Sequence, residues 1–308
     1  MRIGVVGTIN RDTIELPDGQ IKRSFGGLLY SIFSLAMLTP PGTTILPLVN
    51  LGRDVEKPVR DILSLFESVT QKGIRVVEQE NNHCYLRYHS GREREEIQLG
   101  GLPAVTFEQL APFLDVDVFL VNFISGQDLS LETFSRLRSG TRAAVYTDLH
   151  SLTLGIDERG RRYRRLLPQW PRWAAQTDVL QMNRAEARSL SGSPLEQDAE
   201  VRCFGREVLR QGPSVLLITL DADGSLLVTG SDKDLIVEHI PPCRPQRVVD
   251  TTGCGDVFLA AFLSRHACGG DPLASSRFAN RAAGIKAGLC GIEEMGRLAE
   301  WSMEEGSN

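Results

Sequence analysis

Asp250-Thr251-Thr252-Gly253-Cys254-Gly255-Asp256, running directly into Val257-Phe258-Leu259-Ala260-Ala261-Phe262-Leu263, is the stretch on which the reading of this chain turns. Two glycines one residue apart allow a tight turn with bare backbone N–H groups, and the apolar run behind them reads as a buried helix. Bare amides at a helix N-terminus form an anion site. A carboxylate at the start of that helix, Asp256, then lies beside whatever anion binds. Phosphate with an adjacent base is the minimal equipment for moving a phosphoryl group onto a hydroxyl. Taken alone, a Gly-Asp before a helix reads first as a plain N-cap.

Outward from this turn, short β-branched runs alternate with longer helical patterns. Strands are expected at Ile3–Gly7, Thr44–Val49, Val116–Val121, Ala143–Asp148, Asp178–Met182, Val215–Leu220 and Ser225–Thr229, with amphipathic stretches at Leu28–Leu38, Val55–Ser68 and Ala199–Gln211. Such alternation predicts an α/β fold, a mostly parallel sheet covered by helices on both faces, with ligands at the carboxyl ends of strands. Two segments break the pattern: Arg11–Arg23, turning at Leu16-Pro17-Asp18-Gly19-Gln20, and His83–Ile97, alternating around Ser90-Gly91. Neither hairpin is stable alone, so the two are expected to pair into a small sheet over the main one. The whole, residues 1–308, reads as one domain, with the hairpins at about 11–25 and 83–98.

Composition is that of a soluble globular protein, 42% hydrophobic and 24% charged with net charge −5. Mild acidity argues against nucleic acid as a partner, and no apolar run approaches a membrane span. The N-terminus enters a strand-like run without the layout of a signal peptide. Six dispersed cysteines show no metal-ligand spacing and read as free thiols in a reducing cytoplasm.

The glycine turn resembles the D-T-x-G-A-G-D signature of the ribokinase-like (PfkB-type) carbohydrate kinases, with Cys254 in place of Ala, and the outer Asp250-Thr251 favours this over a plain cap. The resemblance implies a three-layer α/β/α fold with a β-sheet lid that closes over substrate. It also implies ATP-dependent transfer to a sugar or small polyol, Asp256 as base, and an anion hole of Gly253, Cys254 and Gly255 amides. Asp250 and Thr252 match positions that bind a monovalent cation in that family, so potassium activation is expected. On the donor side, Asn183-Arg184-Ala185-Glu186 matches the family's N-x-x-E motif. At i and i+3 the two polar side chains share a helix face and could orient a water-coordinated Mg²⁺, or simply open a helix with an acidic first turn. Thr219 and Gly224 fit a T-L-G-x-x-G nucleotide turn, while Asp221 replaces its first Gly. Asn280 matches the border of the adenine pocket.

On the acceptor side, Asn10 and Asp12 lie two apart in extended chain and can reach one polyol together. Gly26-Gly27 matches the family's paired glycines. Ribokinase then reads G-G-K-G-A-N; here Leu28 holds the Lys position and Ser31 that of the sugar-binding Asn, which implies an acceptor other than ribose. Two alternatives stay open: a nucleoside kinase, which Leu28 modestly encourages, and a ligand-binding protein without catalysis, which Asp221, Ser31 and Cys254 favour. A nicotinamide dehydrogenase finds little support, since no G-x-G-x-x-G follows a strand. The basic run Arg159–Arg165 reads as a solvated helix face or a phosphate clamp. The helix N-terminus should keep Asp256 ionised and lower the Cys254 thiol pKa. Exposed strand edges of the small sheet could pair two copies.

Overall fold

The computed structural model describes residues 1–15, 18–87 and 95–305. The chain runs through β1 (Arg2–Val6), β2 (Ile9–Glu15), β3 (Ile21–Gly27), α1 (Leu28–Leu38), β4 (Thr44–Gly52), α2 (Glu56–Leu63), β5 (Ile74–Val77), β6 (His83–Arg87) and β7 (Glu95–Leu99). Then come α3 (Phe107–Leu110), β8 (Val118–Asn122), α4 (Leu131–Gly140), β9 (Ala144–Asp148), β10 (Leu154–Ile156), β11 (Arg162–Arg164) and α5 (Trp170–Ala174). After these lie β12 (Val179–Asn183), α6 (Arg184–Ser191), α7 (Asp198–Gln211), β13 (Val215–Thr219), β14 (Ser225–Gly230) and β15 (Leu235–Ile240). Three helices follow: α8 (Cys254–His266), α9 (Pro272–Ala287) and α10 (Gly296–Glu305).

Nine strands form the main sheet in the order β15-β14-β13-β12-β9-β8-β1-β4-β5. The β13–β14 and β14–β15 pairs are antiparallel and the other neighbours parallel. A parallel strand pair needs a crossover, and the crossover helices cover both faces. Ile3 and Val5 of β1 point into a core shared with α1, α8 and α9, whereas Val6, two strands of β8 and β9 side chains, and α4 and α7 fill the other. Every residue of α8 from Val257 to Ser264 is buried, as an all-round apolar helix must be. It packs against α1 and α9, with its N-terminus at the carboxyl edge of the sheet.

The two expected hairpin segments do join into one small sheet, in the order β3-β2-β6-β7. β2 and β6 pair in parallel at its centre, and each hairpin is antiparallel. Leu16, Pro17, Ser90 and Gly91, on which the turn readings rested, lie outside the described residues. The basic run is not a helix face. Arg162–Arg164 pairs with Leu154–Ile156 as an antiparallel hairpin. Buried Arg162 donates to the Ser125 carbonyl at 2.9 Å and to Gln98, so its charge holds this hairpin to β7. Edge strands β5 and β15 escaped the sequence reading because both are short or half-exposed and carry little alternation.

Candidate active site

β8, β9 and β12 end in register at the same edge of the sheet, Asn122 opposite Asp148 and Asp148 opposite Gln181. The head of α8 meets this edge: Gln181 Nε2 donates to Asp148 Oδ2 at 2.8 Å and to the Gly255 carbonyl at 3.0 Å. Gly253 caps the helix with φ of 81°, and a Cβ placed there would lie 2.4 Å from the Tyr30 ring. Only glycine meets both demands. The first i→i−4 bond of α8 runs from Val257 N to the Gly253 carbonyl at 2.9 Å, which leaves the Gly255 and Asp256 amides ahead of it. The Cys254 amide, expected in the anion hole, instead donates to the Thr251 carbonyl at 3.2 Å and closes the turn.

Asp256 accepts from Asn122 Nδ2 at 2.5 Å, and the same amide reaches Ser31 Oγ at 3.4 Å. Burial pushes the Asp256 carboxyl up from the ordinary aspartate range, against His150, the Asn122 hydrogen bond and Lys286. Burial therefore acts against the helix terminus, in the direction of a more basic carboxylate. Desolvation outweighs the helix terminus, and the group is a stronger base than sequence suggested. The Cys254 thiol is corrected in the same direction: burial pushes it up to about 12, although Lys286 pulls it down.

The acceptor residues lie on the small sheet where it meets α1. Asn10 pairs with Gly26 and Asp12 with Ser24 across the β2–β3 ladder. A Cβ on Gly26 would come within 2.0 Å of Asp12 Oδ2 and 3.2 Å of Tyr30, so backbone and carboxylate pack face to face there. Gly27 starts α1 with φ of 60°. Asp12 and Asn10 are buried, and Asn10 Oδ1, Tyr30 Oη, Asn122 Oδ1 and Gln181 Oε1 have no hydrogen-bond partner among the described residues. Buried polar atoms left unpaired beside Asp12 and Asp256 are what a polar ligand would satisfy. Tyr30 ties the two sides together: its hydroxyl is raised by burial and by the charges of Asp250, Asp12 and Asp256. Leu28, by contrast, is a core side chain against Gly7.

On the donor side, Asn183 and Glu186 form a reciprocal capping box at the start of α6. Glu186 N donates to Asn183 Oδ1 at 2.9 Å, and Glu186 accepts from Asn183 N at 2.8 Å and Nδ2 at 2.6 Å. His150 Nδ1 stands 3.9 Å from Glu186. Burial, which would lower the His150 pKa, is outweighed by Glu186 and Asp148, and it rises to about 9. Asp148 is raised by burial and by the Glu186 and Asp256 charges. Thr219 ends β13 opposite Asn183. Asp221 adopts φ of 54°, the left-handed backbone that the family's glycine would take, and its side chain is exposed. Gly224 closes this turn with φ of 92°. The Asn280 side-chain nitrogen is committed to the backbone: Nδ2 donates to the Ile240 and Pro241 carbonyls at 3.0 and 3.1 Å, fixing α9 to the end of β15.

Asn122 and Tyr30 are site residues that sequence reasoning missed. The signal for Asn122 was available, a lone polar residue ending an apolar parallel strand.

The family model for pfkB family carbohydrate kinases matches residues 67–292. This chain belongs to that family and is a phosphotransferase with a hydroxyl acceptor, of the carbohydrate or nucleoside kinase type. It is 24% identical over 267 residues to a cytidine kinase of Thermococcus kodakarensis, covering 86% of this chain and 88% of that one. A D-beta-D-heptose 7-phosphate kinase of Bordetella bronchiseptica is 30% identical over 240 residues, 77% of this chain and 67% of the relative. Among solved structures, an Arabidopsis thaliana ribokinase complexed with ribose and ATP superposes with TM-score 0.72 at 19% identity, covering 97% of this chain and 98% of that one.

Proposed function

We propose that this chain transfers the γ-phosphoryl group of ATP to a hydroxyl of a sugar or related small polyol. The observation that carries the proposal is the Asn122 bridge. One side-chain amide holds both Asp256 at the head of α8 and Ser31 on the acceptor side. The acceptor hydroxyl would be oriented by Asp12 and Asn10 and approached closely by the Gly26-Gly27 backbone. Asp256 takes its proton as the bond to phosphorus forms and ADP leaves, and the Gly253, Gly255 and Asp256 amides hold the transferring charge. A loose phosphoryl-transfer transition state asks mainly for such positioning.

Magnesium would belong to the donor side. Asp148 at the end of β9 feels the charges of Glu186 at the start of α6 and Asp256 at the start of α8; among the described residues no three such groups are close enough to cage a metal directly, which suits Mg²⁺ held by one or two carboxylates with waters between. Glu186 would hold it through water, since Asn183 uses one lone pair of each oxygen. Bound there, the ion would neutralise donor phosphate charge. Thr219, Asp221 and Gly224 would border the nucleotide.

A nucleoside acceptor is the second reading, favoured by the cytidine kinase relative and by the short Ser31. Phosphate transfer from ATP across a panel of sugars, sugar phosphates and nucleosides separates the two. Asp256→Asn should lower turnover about 10²–10⁴-fold while nucleotide binding persists. No transfer to any acceptor, with ligand still bound, would leave the non-catalytic reading standing. Six free cysteines favour a reducing cytoplasm as its setting, and no helix among the described residues is long and apolar enough to cross a membrane. Exposed Ile21, Tyr85 and Leu99 on the small sheet favour its pairing with a second copy; light scattering at monomer mass would refute this.

A further inference from the structure

Lys286, in α9, is fully buried, and nothing in the transfer scheme above uses it. Lysine is almost never buried completely unless its charge is met. Here the ammonium faces the Asp250 carbonyl at 3.3 Å, the Leu289 carbonyl at 3.4 Å and Asp250 Oδ2 at 3.6 Å. Two carbonyls thus accept hydrogen bonds from the ammonium, and the Asp250 carboxylate meets its charge as an ion pair. The Tyr30 ring lies on another side, its centroid 5.2 Å away, at cation–π distance.

These partners all support the anion-binding turn. Asp250 opens the turn, and its Oδ1 accepts from Thr252 N at 2.9 Å. Its Oδ2 accepts from Gly291 N at 3.3 Å, in the loop after α9. Tyr30 is the surface against which Gly253 is pressed. The ammonium therefore joins the entrance of the turn, the loop after α9 and the ring beneath Gly253.

Two backbone carbonyls and a carboxylate oxygen around one positive centre form the oxygen donor set of a hard cation. The resemblance implied a dissociable potassium ion at Asp250. The residues present do not fit one there, because a tethered positive charge already takes the Asp250 oxygens and would repel a second.

We propose that Lys286 is a built-in cation that replaces a dissociable monovalent ion beneath the Gly253–Asp256 turn, making the enzyme independent of potassium. It is a positioning residue, acting on the anion-hole amides through Asp250 and Tyr30. The inference rests on reading that turn as the phosphate site.

The test has two readouts, one of them independent of catalysis. Wild-type phosphate transfer and the melting midpoint of the ligand-free protein should be unchanged when potassium is replaced by tetramethylammonium. Lys286→Ala should lose about tenfold or more in kcat/KM in tetramethylammonium. It should regain much of this in potassium or ammonium, with its ligand-free melting midpoint rising in the same ions. Lys286→Gln, which fills the space without charge, should lose activity and show little rescue. Activation of the wild type by potassium would overturn the proposal even if both variants failed to fold. So would a Lys286→Ala midpoint indifferent to cation identity. If the site is not catalytic, the cation-specific midpoints of Lys286→Ala survive while transfer is absent throughout, so the two failures are distinguishable.

Discussion

Replacing Asn122 by Leu removes the one side-chain hydrogen-bond donor to Asp256 among the described residues while keeping nearly the same volume. The lost bond, 2.5 Å long and made to a carboxylate, is charge-assisted. Hydrogen bonds to charged groups contribute about 1.5–3 kcal/mol. Asn122 is one of the groups that hold the buried Asp256 carboxyl down, so without it that carboxyl should rise further above the ordinary aspartate range. The sign follows from the chemistry: a proton acceptor works only when deprotonated, so the acidic limb of kcat/KM against pH moves to higher pH. Well below both midpoints that free energy makes the variant about 10–100-fold slower than wild type, and the two should converge in alkali. The assay is kcat/KM across pH with whichever acceptor the panel identifies. Carbon-13 spectra of labelled aspartate, with Asp256→Asn as the assignment control, follow the carboxyl without needing an acceptor. An acidic limb that stays in place in a folded Asn122→Leu protein would refute the assignment of Asp256 as base under Asn122 control.

Gly26→Ala would push a methyl into Asp12, 2.0 Å from Oδ2; acceptor KM should rise about tenfold or more while donor KM holds, as steady-state kinetics will show. Cys254 should resist alkylation: with its thiol up at about 12, the thiolate fraction at pH 8 is about 10⁻⁴. Mass spectrometry should find exposed Cys203 and Cys268 modified by iodoacetamide long before it, and early modification of Cys254 would contradict the burial argument. Asn280→Ala should destabilise by about 1–3 kcal/mol in chemical denaturation, because two carbonyls lose their donor. Its nucleotide KM should stay near wild type, and a large rise would restore Asn280 to the donor pocket.

The sequence by itself determined what depends on local geometry and periodicity. Glycine spacing announces the turn at Gly253, an all-round apolar run announces a central helix, and β-branched runs between amphipathic stretches announce the parallel sheet. Asp12, Gly26 and Asp256 could be named in advance because each sits inside a short local pattern. Only the tertiary structure decided what depends on residues distant in the chain. Asn122 and Asp256 are 134 positions apart, and their contact exists only once β8 and α8 meet. Burial, not the helix terminus, sets the direction of the Asp256 and Cys254 protonation equilibria, and burial is a property of packing. Asn280 looks like a ligand contact in one dimension and is a backbone tie in three. Lys286, one lysine at the end of a small-residue helix, becomes a buried cation because folding brings Asp250, Leu289 and Tyr30 around it.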